Sequence, residues 1–77
     1  MGTSLTSDLD YWEVTLKTGG VLTIRAHGVK ESGERLIFVA LMEGEPAYEY
    51  EIANVPTAAV SEWQGGWADP RFAKTPI

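Results

Sequence analysis

From Tyr11 onward the chain alternates apolar and polar side chains with a period of two. Trp12, Val14 and Leu16 are separated by Glu13, Thr15 and Lys17, the pattern of a half-buried strand. After Gly19-Gly20 the same rhythm returns in Leu22, Ile24 and Ala26, with Thr23 and Arg25 between them. A two-residue loop at the glycines would set the apolar side chains of the two strands on opposite faces. A three-residue loop, Thr18-Gly19-Gly20, pairs Leu16 with Leu22, Val14 with Ile24 and Trp12 with Ala26. This puts all of them on one face and makes Gly20 the left-handed loop residue.

His27-Gly28 interrupts the pattern as a bulge or bend, and Lys30-Glu31-Ser32-Gly33-Glu34 reads as a turn. Leu36 to Met42 is apolar at every position, which predicts a central strand covered on both sides. Glu43-Gly44-Glu45-Pro46 is a further turn. Tyr48, Tyr50 and Ile52 alternate with Glu49 and Glu51 in a fourth strand. Pro56 has no N–H to give a ladder, so the chain from Asn54 is expected to leave the sheet, with one short helical turn near 55–59. Val60 to Trp63 predicts a short fifth strand, and Gly65-Gly66 the end of the compact part.

The expectation is therefore an all-β domain, a small antiparallel barrel or meander of about five strands. Residues 1–9 form a flexible lead-in, 10–64 the domain and 65–77 an irregular C-terminal tail. The order of elements over residues 11–64 resembles that of an SH3-like small barrel. The aromatic ligand-binding motifs of true SH3 domains are not recognisable in it, so the resemblance implies an architecture and no proline-rich ligand. An open meander that dimerises through an edge is the alternative.

Composition sharpens this picture. A chain of 77 residues makes one domain and buries only about 60% of the surface its unfolded form exposes. Chains of this size often need a staple. Cysteine is absent and His27 is the only histidine, so disulfides are excluded and zinc has no ligand set, which leaves self-association. A cysteine-free chain without an apolar run long enough to span a bilayer is expected to be cytoplasmic.

The net charge is −5 and unevenly placed: residues 36–70 hold six acids and no Lys or Arg. Grip on phosphate backbones needs clustered bases, so neither nucleic acid nor an anionic membrane is an expected partner.

Candidate chemistry is sparse. His27 is the single possible general base and has no recognisable nucleophile motif beside it, so no catalytic residue, metal or cofactor is expected. Asp8-Leu9-Asp10 lacks the rest of a calcium loop, and Gly19-Gly20 joins strands instead of opening a phosphate-binding helix. Met1-Gly2-Thr3-Ser4-Leu5-Thr6 fits the permissive myristoylation pattern, but Asp8 and Asp10 stand where reinforcing bases would be. Glu43, Glu45, Glu49 and Glu51 form an acidic stretch that reads first as a solvated strand face.

The aromatics Trp63, Trp67 and Phe72 either cover the domain's own open end, meet a second copy, or dock into a partner. The expected function is thus a non-enzymatic, acidic protein-interaction module. Its candidate surface combines Glu49 and Glu51 with Trp63, Trp67 and Phe72, and its partner is another protein with a basic patch or a second copy in a homodimer. Two alternatives stand beside it: a small-ligand pocket between Trp12, Tyr48 and Tyr50, and an acidic mimic of nucleic acid that blocks a basic partner.

Overall fold

The computed structural model describes Leu5 and residues 7–68, and within them six strands share one core. They are β1 (Asp10–Leu16), β2 (Val21–Ala26), β3 (Gly28–Ser32), β4 (Arg35–Met42), β5 (Tyr48–Pro56) and β6 (Val60–Trp67), with a 3₁₀ turn at Thr57–Ala59. Two antiparallel sheets result, ordered β2-β1-β6 and β3-β4-β5. The domain is all-β, but it is not a closed barrel. The chain passes from one sheet to the other at His27 and again through the 3₁₀ turn.

The inner faces follow the alternation. Val14, Ile24 and Ala26 from the first sheet meet Leu36 and Phe38 from the second, all at most 4% exposed. Trp12, Leu16, Leu22, Val29, Ala53, Val55 and Val60 pack around them. The Trp12 ring stands edge-on to Phe38 at 6.1 Å, and its indole N–H donates to the Ala26 carbonyl at 2.9 Å. Burying each large side chain of this kind contributes about 1.5–3 kcal/mol. β4 is central to its sheet, yet only its inner face (Leu36, Phe38, Ala40) is fully covered. On the outer face Val39 is buried, Ile37 is half-buried and Leu41 is 42% exposed.

Four features depart from the pattern's expectation. The first hairpin pairs Trp12 with Ile24 and Val14 with Leu22, two residues away from the register expected. Its loop does have three residues, but they are Lys17-Thr18-Gly19. Gly19 takes the positive φ of 97°, and Gly20 accepts from the Leu16 N–H at 2.8 Å. Because the shift is two, each side chain keeps its face.

β3 is the second departure and makes six strands instead of about five. It pairs with β4 from Gly28↔Val39 to Ser32↔Arg35, and the turn shrinks to Gly33-Glu34, with Gly33 at φ 63°. Third, β5 continues to Pro56. A proline is tolerated there because it is the last residue of an outermost strand, where no ladder donor is required. The helical turn therefore covers only Thr57–Ala59, held by donation from the Thr57 N–H to the Glu34 carbonyl and from the Lys17 N–H to the Ala59 carbonyl.

Fourth, β6 runs through Gly65-Gly66 to Trp67. It pairs with β1 as Trp12↔Gly65 and Tyr11↔Trp67, which leaves Gly66 as the extra residue of a bulge. Gly65 is needed here: at φ 152° a Cβ would lie 2.6 Å from the Trp12 Cα and 2.7 Å from the Tyr11 carbonyl oxygen. Gly65→Ala is expected to cost about 2–4 kcal/mol through strain and overpacking. At Gly20 the added methyl would meet only Leu16 Cδ1, at 3.6 Å. Gly20→Ala should therefore stay within about 0.5 kcal/mol of the parent. Urea denaturation of both variants checks the contrast.

Candidate functional site

His27, the one candidate base, sits where the chain changes sheets. Its N–H donates to the Val39 carbonyl at 2.8 Å, and its Nδ1 accepts from the Leu41 N–H at 2.7 Å. The Leu41 amide points to the side of β4 where β3 has already ended, so the imidazole takes the place of a strand partner. An accepting Nδ1 puts the proton on Nε2. Nε2 then donates toward Ser7, whose carbonyl oxygen lies at 2.9 Å and Oγ at 3.0 Å. A nitrogen that carries a proton cannot take one from the Ser7 hydroxyl, so this pair fastens the lead-in to the sheet. Leu5, bridged to Met42, continues that attachment.

β5 carries the acidic candidates. Glu49 pairs with Leu41 and Glu51 with Val39, so both carboxylates project from the outer face of their sheet. Glu49 Oε1 meets Lys30 Nζ at 2.8 Å, an exposed pair of small energetic weight. Glu51 Oε2 accepts from Asn54 Nδ2 at 3.5 Å, and Arg35 donates to the Asn54 side chain and carbonyl. Tyr48 and Tyr50 alternate with the two glutamates, opposite Met42 and Ala40, and are 43% and 59% exposed. Ile52, the extra residue of a bulge between the Glu51↔Val39 and Ala53↔Phe38 pairs, is 39% exposed. β5 has one strand neighbour, β4, and among the described residues no other strand pairs with its far edge.

The remaining candidates are distributed over the other sheet. Trp12 belongs to the core and makes no ring contact with Tyr48 or Tyr50 among the described residues, so this trio is not brought together. Trp63 lies on β6 opposite Val14, tilted against Trp12 at 6.2 Å and partly exposed. Trp67 ends β6, half-buried and opposite Tyr11, over whose ring the Arg25 guanidinium sits at 4.9 Å. Glu49 and Glu51 thus belong to one sheet, and Trp63 and Trp67 to the other. Phe72 lies outside the described residues.

Because the sheets do not close into a barrel, openings remain between their outermost strands. One, of about 350 Å³, lies between β3–β4 and the start of β6 and is lined by Glu31, Leu36, Val60, Ser61, Glu62 and Trp63. The other, of about 410 Å³, lies between β2 and β5, beside Ile24, Arg25, Ile52 and Ala53. Neither includes Trp12, Tyr48 or Tyr50. Glu31 escaped the sequence reading because it fell in an assumed turn; its place opposite Leu36 on β3 turns it toward the first opening.

Among the described residues no three His, Cys, Asp or Glu side chains come together in a way that could hold a metal ion, and no helix is long and apolar enough to cross a membrane. No protein-family model matches the chain, and neither a curated protein nor a solved structure matches it.

The imidazole's role has a direct check. His27→Ala removes the acceptor of the Leu41 N–H, so that amide should lose hydrogen-exchange protection while Phe38 in the core keeps its own. In the parent, ¹⁵N shifts of the ring should report the Nε2–H tautomer.

Proposed function

We propose that the protein is a non-enzymatic interaction module that captures an extended, basic segment of another protein by strand addition to β5. One observation carries this reading. β5 is a nine-residue outermost strand that keeps four large or charged side chains, Tyr48, Glu49, Tyr50 and Glu51, in solvent. A strand laid along such an edge gains main-chain hydrogen bonds, and its alternate side chains meet the two faces separately. Those facing Glu49 and Glu51 would be Lys or Arg; those facing Tyr48, Tyr50 and Ile52 would be apolar. An acidic, base-free stretch also steers a basic partner on approach.

A second copy fits this edge less well. Antiparallel self-pairing centred on Tyr50 sets Glu49 against Glu51 on both sides of the axis, and like charges directly opposite destabilise a sheet. A row of phosphate-like charges is also poorly supported, since β5 carries only two carboxylates, Glu49 and Glu51. The absence of cysteine suits a reducing compartment, and the reading places the protein in the cytoplasm.

Titration of the labelled protein with a peptide of alternating lysine and valine is expected to shift the amides of Tyr48 to Asn54 in a saturable, salt-sensitive way. A peptide alternating glutamate and valine should leave them in place. Reversing both charges, Glu49→Lys with Glu51→Lys, should weaken the lysine peptide about tenfold or more. An equal response to both peptides, or shifts confined to residues away from β5, would refute the proposal.

A further inference from the structure

We infer that the opening between β3 and β6 is a binding site for an alkylguanidinium or alkylammonium group, the head of an arginine or lysine side chain or of a free polyamine. The site is separate from β5 and does not depend on the reading given above. Its walls come from both sheets. Glu31, on the inner face of β3 opposite Leu36, stands on one side; Ser61, Glu62 and Trp63, at the start of β6, stand on the other.

Each part of the lining matches one part of such a cation. Neither Glu31 nor Glu62 has a hydrogen-bond or ion-pair partner among the described residues. Among the described residues no base lines the opening: Lys30 is engaged by Glu49, Arg35 by Asn54, Arg25 sits over Tyr11, and Lys17, whose N–H donates to the Ala59 carbonyl, is not part of the lining. The Glu31 carboxylate faces the concavity without a countercharge among the described lining residues, and Glu62, opposite Thr15 on the outer face of β6, adds negative potential at its edge; both favour a cation there.

Trp63 supplies an aromatic surface. Trp63 is 39% exposed and its ring lies against that of Trp12, so the indole is braced before a ligand arrives. A guanidinium or ammonium over an indole face is attracted by the ring's quadrupole, with tryptophan the best of the aromatic partners. Half-buried Val60 offers apolar contact for an aliphatic stem, with the buried Leu36 behind it, and the Ser61 hydroxyl adds an acceptor for an N–H. At about 350 Å³ the opening is at the small end of ligand pockets, a scale suited to a single side chain.

The bulge in β6 explains how these groups come together. β6 pairs Val60 with Leu16 and Glu62 with Thr15, which leaves Ser61 as the extra residue. Such an insertion bends the strand and re-aims its neighbours. The 3₁₀ turn just before it is fixed to the β3–β4 turn through Thr57, whose N–H and hydroxyl both donate to the Glu34 carbonyl. The two walls are thus tied together at one end of the opening.

The test uses the full chain, the Trp63 indole N–H and the amides of Glu31 and Ser61–Trp63 as NMR probes. N-acetyl-arginine amide, N-acetyl-lysine amide and spermidine are titrated, with N-acetyl-citrulline amide as the neutral isostere of arginine. Saturable shifts at these probes with the cations, and none with citrulline, are expected. The two amino-acid amides against spermidine tell a side-chain site from a polyamine site. The double variant Glu31→Gln with Glu62→Gln changes only exposed positions and should keep the parent spectrum elsewhere, while affinity for the cations falls about five- to tenfold. Unsaturable or absent shifts, an equal response to citrulline, or unchanged affinity in the double variant would overturn the site. None of these outcomes bears on Tyr48 to Asn54, so the β5 proposal is decided separately.

Discussion

Phe38 has to be covered, and everything else in the domain is arranged around that requirement. Neither three-stranded sheet has an apolar layer that could be satisfied alone, and Phe38 and Leu36 from one meet Val14, Ile24 and Ala26 from the other in one cluster of buried residues. Trp12 completes the seal by standing edge-on to Phe38 while its indole N–H finds the Ala26 carbonyl, which keeps a polar atom satisfied at the margin of the core. In a chain of 77 residues there is little apolar surface to spare, so loss of this one contact layer would leave two ribbons with nothing to hold them.

Facing sheets of this size need short crossings, and the two crossings are built differently. The first is a single bend at His27, which would leave the Leu41 amide without a strand partner had the imidazole not filled the gap. The second is a 3₁₀ turn anchored at both ends by backbone bonds to Glu34 and Lys17. Polar side chains and main-chain groups thus do at the corners what the apolar layer does in the middle. This division gives the lone histidine a part in the architecture, as the acceptor of the Leu41 N–H at the first crossing.

The same division decides what could be read from the chain. Face assignment was legible wherever burial alternated: Trp12, Val14 and Leu16, and Leu22 and Ile24, all lie as the rhythm demands, whereas the unbroken apolar run from Leu36 to Met42 was expected to be covered on both sides and leaves Leu41 42% exposed. Pairing register was not, because a period of two is blind to a shift of two, and with two adjacent glycines either one can take the positive φ. β3 was hidden for the opposite reason. Val29 is its only large apolar side chain, and its strand character comes from main-chain pairing with β4, which leaves no hydropathy signal. Pro56 and Gly65-Gly66 were read as terminators, correct for a central strand and mistaken for the outermost strands they occupy. The alternation of Glu49 and Glu51 with Tyr48 and Tyr50 was visible. The juxtaposition of Glu31 with Trp63 was not, since it depends on the bulge at Ser61 and on a strand that could not be seen. Glu13 went unnoticed too: it reads as a solvent position but is 2% exposed, between Thr23 and Gln64, with the Gln64 amide donating to it at 3.2 Å.

An open arrangement of two sheets has a cost that a closed barrel avoids, since outermost strands invite unwanted pairing. β3 is short and mostly charged or polar, which blunts it; β5 ends in proline and carries two glutamates, yet it is the longest strand and keeps its tyrosines in solvent. If solubility alone had shaped that edge, exposed aromatics would be the first residues to go, because Tyr48 and Tyr50 stand outside the cluster around Phe38 and are 43% and 59% exposed. Under the strand-addition proposal, their presence beside carboxylates gives an edge that stays soluble when free and rewards a partner of opposite charge. Closure of the barrel would have removed both that edge and the openings between the sheets, so the features that leave this small core least protected are also the ones available for recognition.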